Sequence, residues 1–232
     1  MKSKDESLGT LSGSINHYAL LKHDADQLVR LAVQHTDSYL QTMFTRSSVL
    51  LYVVSLEVLI NRVIEDFWPS SSSHPKDAVK LWSIPDKWHK VPREIAGKTF
   101  CRGRTPFQYL KALNDLRNDF VHAKSDTFKV IWQYRHDHVN NQKLLSPSPQ
   151  QPKYPHIGLF KAPSEWLPQD ADTVKRVTEE LVARLSEFLS GKITDPWLSS
   201  DVLESSQGQR LIVRRRFDPE GKSNTTNGPD LQ

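Results

Sequence analysis

The stretch from Thr45 to Trp68 constrains this chain more than any other. It contains Val49, Leu50, Tyr52, Val53, Val54, Leu56, Leu59, Ile60, Val63, Ile64 and Phe67, with no glycine or proline among them. Turned by about 100° per residue, it predicts a helix. One face collects Val49, Tyr52, Val53, Leu56, Leu59, Ile60, Val63 and Phe67 as a core stripe. The flank beside it carries Leu50, Glu57, Asn61, Ile64 and Trp68, with Val54 beyond. A helix apolar over so wide an arc is covered on two sides. Burial within the chain is one cover, and a partner subunit is the other candidate. Pro69 and the run Ser70–Ser73 end it.

Three further helices follow from the same periodicity. Leu20, Leu21, Leu28, Leu31, Ala32, Tyr39 and Leu40 predict one from about Asn16 to Met43. Phe107, Leu110, Leu113, Leu116 and Phe120 predict another, with Thr105 as N-cap, Pro106 in the first helical position and Gln108 closing a capping box. Val174, Val177, Leu181, Leu185, Phe188 and Leu189 predict the last, from Asp170 to the stop at Gly191. Between the second and third, Pro75, Pro85, Pro92 and Gly97 leave only short helical turns over residues 74–104. Leu81, Trp82, Ile84, Trp88 and Ile95 of that connection are expected to pack onto the bundle.

Phe128–Tyr134 is β-prone, residues 140–155 read as a loop, and His156–Phe160 is expected to return as a second strand. The predicted organisation is therefore a loose N-terminus over 1–14 and one helical domain over 15–191. A hairpin insertion interrupts that domain at 127–161, and a polar, basic, flexible extension follows over 192–232. The predicted fold class is all-α, an up-and-down bundle of four or five helices.

Composition removes several alternatives. With 232 residues the chain supports one domain of ordinary size plus an appendage. The single cysteine, Cys101, excludes a disulfide framework and a cysteine-based zinc finger. Mean hydropathy is −0.56. No apolar run is read as reaching the ~18–20 residues of a membrane span. No apolar segment follows Met1-Lys-Ser-Lys-Asp-Glu6, so a cytoplasmic protein without a membrane partner is expected. The net charge of +4 permits nucleic-acid binding without requiring it. There is no HExxH, Walker A loop, GxGxxG or G-x-S-x-G pattern. His136-Asp137-His138 is too short a pattern to define a metal site, and no metal or cofactor is expected.

The segment that carries chemistry is Leu113-Asn-Asp-Leu-Arg-Asn-Asp-Phe-Val-His-Ala-Lys124. Four residues separate Arg117 from His122. Spacing alone decides little, since Arg30 and His35 repeat it; that second pair lacks the same context and reads as surface chemistry. With Leu113 at zero, Tyr109, Leu110, Leu116, Phe120 and Val121 fall between roughly −60° and +80°, and Arg117 lands at about +40°, inside the apolar arc. A guanidinium placed there needs a partner. Asn114, Asn118 and His122 lie on the flank, giving an edge suited to a cleft or a subunit interface. Glu57 and Asn61, an i,i+4 pair, are the expected polar neighbours.

His122 lies near the helix C-terminus, where the dipole favours the imidazolium and a role in proton transfer. Arginine beside it can grip a phosphate bidentately. Imidazole and guanidinium together suffice for metal-free RNA cleavage. Positions i and i+5 diverge by about 140° on a helix, a divergence that a two-fold dimer eases. The alternative is that Arg117 and His122 only cap or pair within the bundle.

At these residues the sequence resembles the HEPN domains (higher eukaryotes and prokaryotes nucleotide-binding). Leu116-Arg-Asn-Asp-Phe-Val-His-Ala-Lys124 is similar to their R-x(4–6)-H signature. Ser47-Ser-Val-Leu-Leu-Tyr-Val-Val-Ser-Leu-Glu-Val-Leu-Ile-Asn61 is similar to their second helix. The resemblance covers about the middle third of the chain directly. It implies a HEPN-like bundle, commonly a homodimer, and a metal-independent endoribonuclease of toxin–antitoxin, antiviral-defence or RNA-processing type. On that basis Arg117 would bind the scissile phosphate, His122 would act in proton transfer and Asn118 would orient one of them. Glu57, Asn61 and Asn114 would be supporting residues, RNA the substrate, and an antitoxin or other protein a partner. The family also implies the alternative of a catalytically silent module that binds a nucleotide or a protein. The insertion and the extension with Arg214, Arg215 and Arg216 have no counterpart in the smallest members. Those arginines read first as a solvated charge run.

Overall fold

Two short polar side chains decide where the first helices begin. The Asn16 side-chain oxygen accepts the Ala19 N–H at 3.2 Å and starts α1, His17–Gln34. The Asp37 carboxylate accepts the Tyr39 and Leu40 N–H groups at 2.8 and 3.0 Å and starts α2, Ser38–Phe67. The first predicted helix therefore stops at His35 rather than running on to Met43, and residues 38–44 open the second helix. The computed structural model describes residues 11–14, 16–122, 132–137, 142–147, 152–194, 197–198, 200–205 and 210–214.

After α2 come α3, Lys76–Lys80, and α4, Ile84–Ala96. The latter is a true helix where only short turns were predicted. Ser83 caps it, Pro85 sits in the first turn where its missing N–H is no loss, and Gly97 ends it in the left-handed conformation. Pro92 lies inside and forgoes one backbone bond. Trp88 is fully buried and Trp82, Ile84 and Ile95 pack against the core, but Leu81 stays 88% exposed, against expectation. The next helix, α5, spans Phe107–Val121. Its N-cap is Pro106, with no side-chain cap; Gln108 instead donates to the Arg102 carbonyl at 2.8 Å, so the predicted Thr105 capping box does not form. The last helix, α6, spans Pro168–Phe188, and the Asp170 carboxylate accepts the Leu167 N–H at 2.8 Å.

The protein is mostly helical, and α2 is its spine. Among the described residues it contacts all five other helices, α1 and α6 most extensively. Val49, Tyr52, Leu56, Leu59, Ile60, Val63 and Ile64 are buried, so the chain itself provides much of the two-sided cover. Leu50, Val54, Glu57 and Asn61 remain half-exposed. By length and composition Ser38–Phe67 is apolar enough to cross a membrane, with an 18-residue window of mean hydropathy 1.7. This differs from the expectation that no apolar run reaches a membrane span, since the window tolerates the scattered polar residues that break a continuous run. In the fold it is the core helix.

The strands Leu11–Ser14 (β1), Trp132–Asp137 (β2), Gln142–Pro147 (β3), Ser200–Ser205 (β4) and Arg210–Arg214 (β5) form two antiparallel sheets. The insertion is a hairpin of β2 and β3, with Trp132 opposite Pro147 and Asp137 opposite Gln142. Its second strand is thus not His156–Phe160. That segment forms a tight turn closed by the Tyr154 N–H on the Leu159 carbonyl at 2.8 Å, with His156 and Gly158 both at positive φ. The second sheet has the order β1-β4-β5 and joins Leu11–Ser14 to the C-terminal extension. No strand was predicted at either 11–14 or 200–205. The β-prone stretch 211–217 is represented by β5; Arg215 and Arg216 lie outside the described residues, as does most of the predicted loose N-terminus.

Candidate functional site

α5 packs against α4 and against α2, where the half-exposed Glu57 and Asn61 flank the buried stripe. Leu110, Leu113 and Leu116 anchor α5 in the core. Farther along the helix, Phe120 stacks on the buried Trp166 at 6.3 Å between ring centroids. The buried Tyr154 hydroxyl donates to the Asp119 carboxylate at 3.1 Å. These contacts fix the last turns of α5 and therefore the placement of Arg117, Asn118 and His122.

Arg117 has the partner its position demands. One guanidinium nitrogen lies 3.7 Å from the Glu57 carboxylate, and both side chains are about 30% exposed (29% and 31%). Another donates to the Asn118 side-chain oxygen at 3.1 Å. The arginine is thus oriented but reachable from solvent. Asn114 lies one turn before Asn118 on the same edge, half-buried.

His122 stands apart. It is the C-cap of α5, its backbone N–H donates to the Asn118 carbonyl at 2.9 Å, and its side chain is exposed. Within one chain the structure brings together Arg117, Asn118 and Glu57, and it leaves His122 on the rim. Arg30 is exposed on α1, in keeping with its surface reading, and His35, the C-cap of that helix, is half-buried with its ring tilted against Phe44 at 5.3 Å.

Asn61 is taken by a residue that sequence reasoning missed. Lys87, on α4, is only 3% exposed, and its Nζ donates to the Asn61 side-chain oxygen at 2.8 Å. Burial pushes its ammonium below the usual lysine range, and the nearby Glu57 charge partly restores it. The signal was present in the sequence. Ser83-Ile-Pro-Asp86 is a start motif, the Ser83 hydroxyl capping the Asp86 N–H at 3.3 Å. A helix begun there puts Lys87 on the same face as Ile84, Trp88, Val91 and Ile95. A lysine inside an apolar stripe announces a buried partner.

Two cations, Lys87 and Arg117, therefore converge on one carboxylate and one amide a turn apart on α2. Such an arrangement can hold an oxyanion near Arg117, whereas His122, five residues on, lies about 140° round the helix from it. Among the described residues, no group of three or more His, Cys, Asp or Glu side chains could hold a metal ion. The side chains of the His136-Asp137-His138 stretch lie outside the described residues. No protein-family model, curated protein or solved structure matches this chain.

Proposed function

We propose that this protein is a metal-independent endoribonuclease of HEPN type. The observation that supports the reading best is Arg117 itself, held by Glu57 and Asn118 at a solvent-facing edge and followed one turn later by an exposed histidine. In this reading the guanidinium of Arg117 binds the scissile phosphodiester. His122 takes the proton from the 2′-hydroxyl, and the 2′-oxygen attacks the adjacent phosphorus. The bond to the 5′-oxygen breaks, that oxygen leaves with a proton from water, and the His122 imidazolium returns its proton to solvent. The product end is a 2′,3′-cyclic phosphate, and no electrons change hands. Positive charge beside the phosphate stabilises the pentavalent state, and Asn118 holds the arginine in register.

Arg117 and His122 point about 140° apart on one helix. A homodimer solves this by setting Arg117 of one copy against His122 of the other. Growth-arresting toxins and antiviral defence proteins are systems in which such an activity is used, with an antitoxin as the natural partner.

Subunit mixing tests the composite site. Arg117→Ala and His122→Ala are each inactive alone in this reading. Mixed and re-equilibrated, they regain about a quarter of wild-type activity, because half the dimers carry one intact site out of two. No recovery from a proven mixed dimer contradicts the shared site. A second reading has one observation in its favour: Glu57 and Asn118 already engage Arg117. A silent HEPN module that binds a nucleotide or protein would keep that pair closed and would cut no RNA.

A further inference from the structure

We propose that Lys87 is a positioning residue for Arg117: it holds the charge of Glu57 when the arginine turns to a phosphodiester, and so sets how readily Arg117 is released. The inference rests on the reading of Arg117 as the phosphate-binding group. In the free protein Arg117 is the direct ion-pair partner of Glu57, and among the described residues no other is found. A guanidinium that grips a phosphate bidentately gives up that contact at least in part. A half-buried carboxylate left without a counter-charge opposes the move.

Lys87 is placed to remove that opposition. It is buried, it belongs to a different helix from Arg117, and its hydrogen-bond partner, Asn61, lies one helical turn from Glu57. An ammonium has three donors, and the neutral Asn61 amide uses one. Among the described residues Lys87 makes no direct ion pair, although the Glu57 charge acts on it. A buried cation with only an amide for company is costly to keep for stability alone, since an apolar side chain of the same length would fill the space. Its position makes sense as the second cation of a shared carboxylate: Glu57 belongs to Arg117 in the free state and to Lys87 in the bound state.

The test uses the full chain and a 2′-O-methyl oligoribonucleotide, which cannot be cleaved by attack of the 2′-hydroxyl. Binding is followed by fluorescence anisotropy at fixed salt, with helicity checked by circular dichroism. Lys87→Met should weaken binding about tenfold, because Glu57 then keeps Arg117. The double variant Glu57→Gln/Lys87→Met should return to within about twofold of wild type, because nothing then competes for the arginine. Lys90→Met, which removes an exposed charge from the same helix, should change binding less than about twofold.

Weak binding by Lys87→Met that Glu57→Gln fails to rescue, or an equal loss in Lys90→Met, overturns the proposal. Wild-type binding by Lys87→Met with loss in Arg117→Ala overturns it too, and leaves the phosphate-binding role of Arg117 standing. Wild-type binding by Arg117→Ala, or no binding by the wild type, overturns that role and this proposal with it. Should Lys87→Met fail to fold, Lys87→Gln takes its place in the same series: a loss of binding that Glu57→Gln rescues supports the exchange, and unchanged binding or an unrescued loss refutes it.

Discussion

Removing Arg117 should leave the protein folded, and the size of the effect follows from its surroundings. Its pair with Glu57 spans 3.7 Å between side chains about 30% exposed, a geometry in which solvent screens most of the attraction. Such a pair contributes about 0.5–1 kcal/mol. The bond to Asn118 joins adjacent residues and closes no long loop. Packing of the aliphatic stem adds about 0.5–1 kcal/mol. Glu57 is not stranded in the variant, because Lys87 remains beside it. Arg117→Ala should therefore cost about 1–2 kcal/mol, a fall in melting temperature of about 2–8 °C for a domain of this size. Thermal melts followed by circular dichroism at neutral pH measure it, and part of the loss should vanish at high salt. A loss above about 4 kcal/mol would make Arg117 a member of the core. Any activity lost with it would then say nothing about chemistry.

Other parts of the fold give equally definite expectations. Burial alone would raise the Asp26 carboxyl, but hydrogen bonds from Lys175 and Tyr52 and the charge of Lys22 outweigh it and hold the group below the usual carboxylate range. A depressed folded pKa contributes stability above the unfolded value near ~3.9, and loses it as pH falls through the folded value. Asp26→Asn should accordingly be less stable than wild type at pH 7, with the gap closing as denaturation curves are taken toward pH 3; a constant gap contradicts the ion pairs as its source. Asp37→Ala removes the cap that separates the first two helices and should cost about 1 kcal/mol in urea unfolding. Trp88→Ala empties a fully buried site whose indole N–H donates to the Leu56 carbonyl at 3.3 Å, and should cost about 3–5 kcal/mol by the same assay.

The parts of this fold that were legible in the sequence are those governed by long apolar periodicity. The stripe of α2 holds from Val49 to Val63, because a buried face leaves little freedom of phase; at its end Phe67 is only half-buried and Ile64, expected on the flank, is fully buried. The pairing of Arg117 with Glu57 was legible for a related reason: a cation inside an apolar arc needs an anion, and the flank of α2 offers one. What escaped depended on local chemistry that competes with periodicity. Asp37 ends one helix and starts the next without a glycine or proline to mark the break. The prolines around α4 conceal a helix, since Pro85 suits a first turn and Pro92 is tolerated by packing around Trp88. Lys87 was hidden with that helix. The turn at 154–159 takes β-prone residues out of a strand because His156 and Gly158 adopt positive φ. The sheet that joins Leu11–Ser14 to Ser200–Ser205 links residues at opposite ends of the chain, a pairing that no local pattern encodes.

Metal-free cleavage by Arg117 and His122 is put to its sharpest test by incubating a mixed RNA substrate with the protein in excess EDTA, beside His122→Ala and Arg117→Ala. All three are first matched for helicity and for oligomeric mass. Cleavage by the wild type alone, with 2′,3′-cyclic phosphate ends, is the expected result. Undiminished cleavage by His122→Ala, or no cleavage by well-folded wild type, would contradict it.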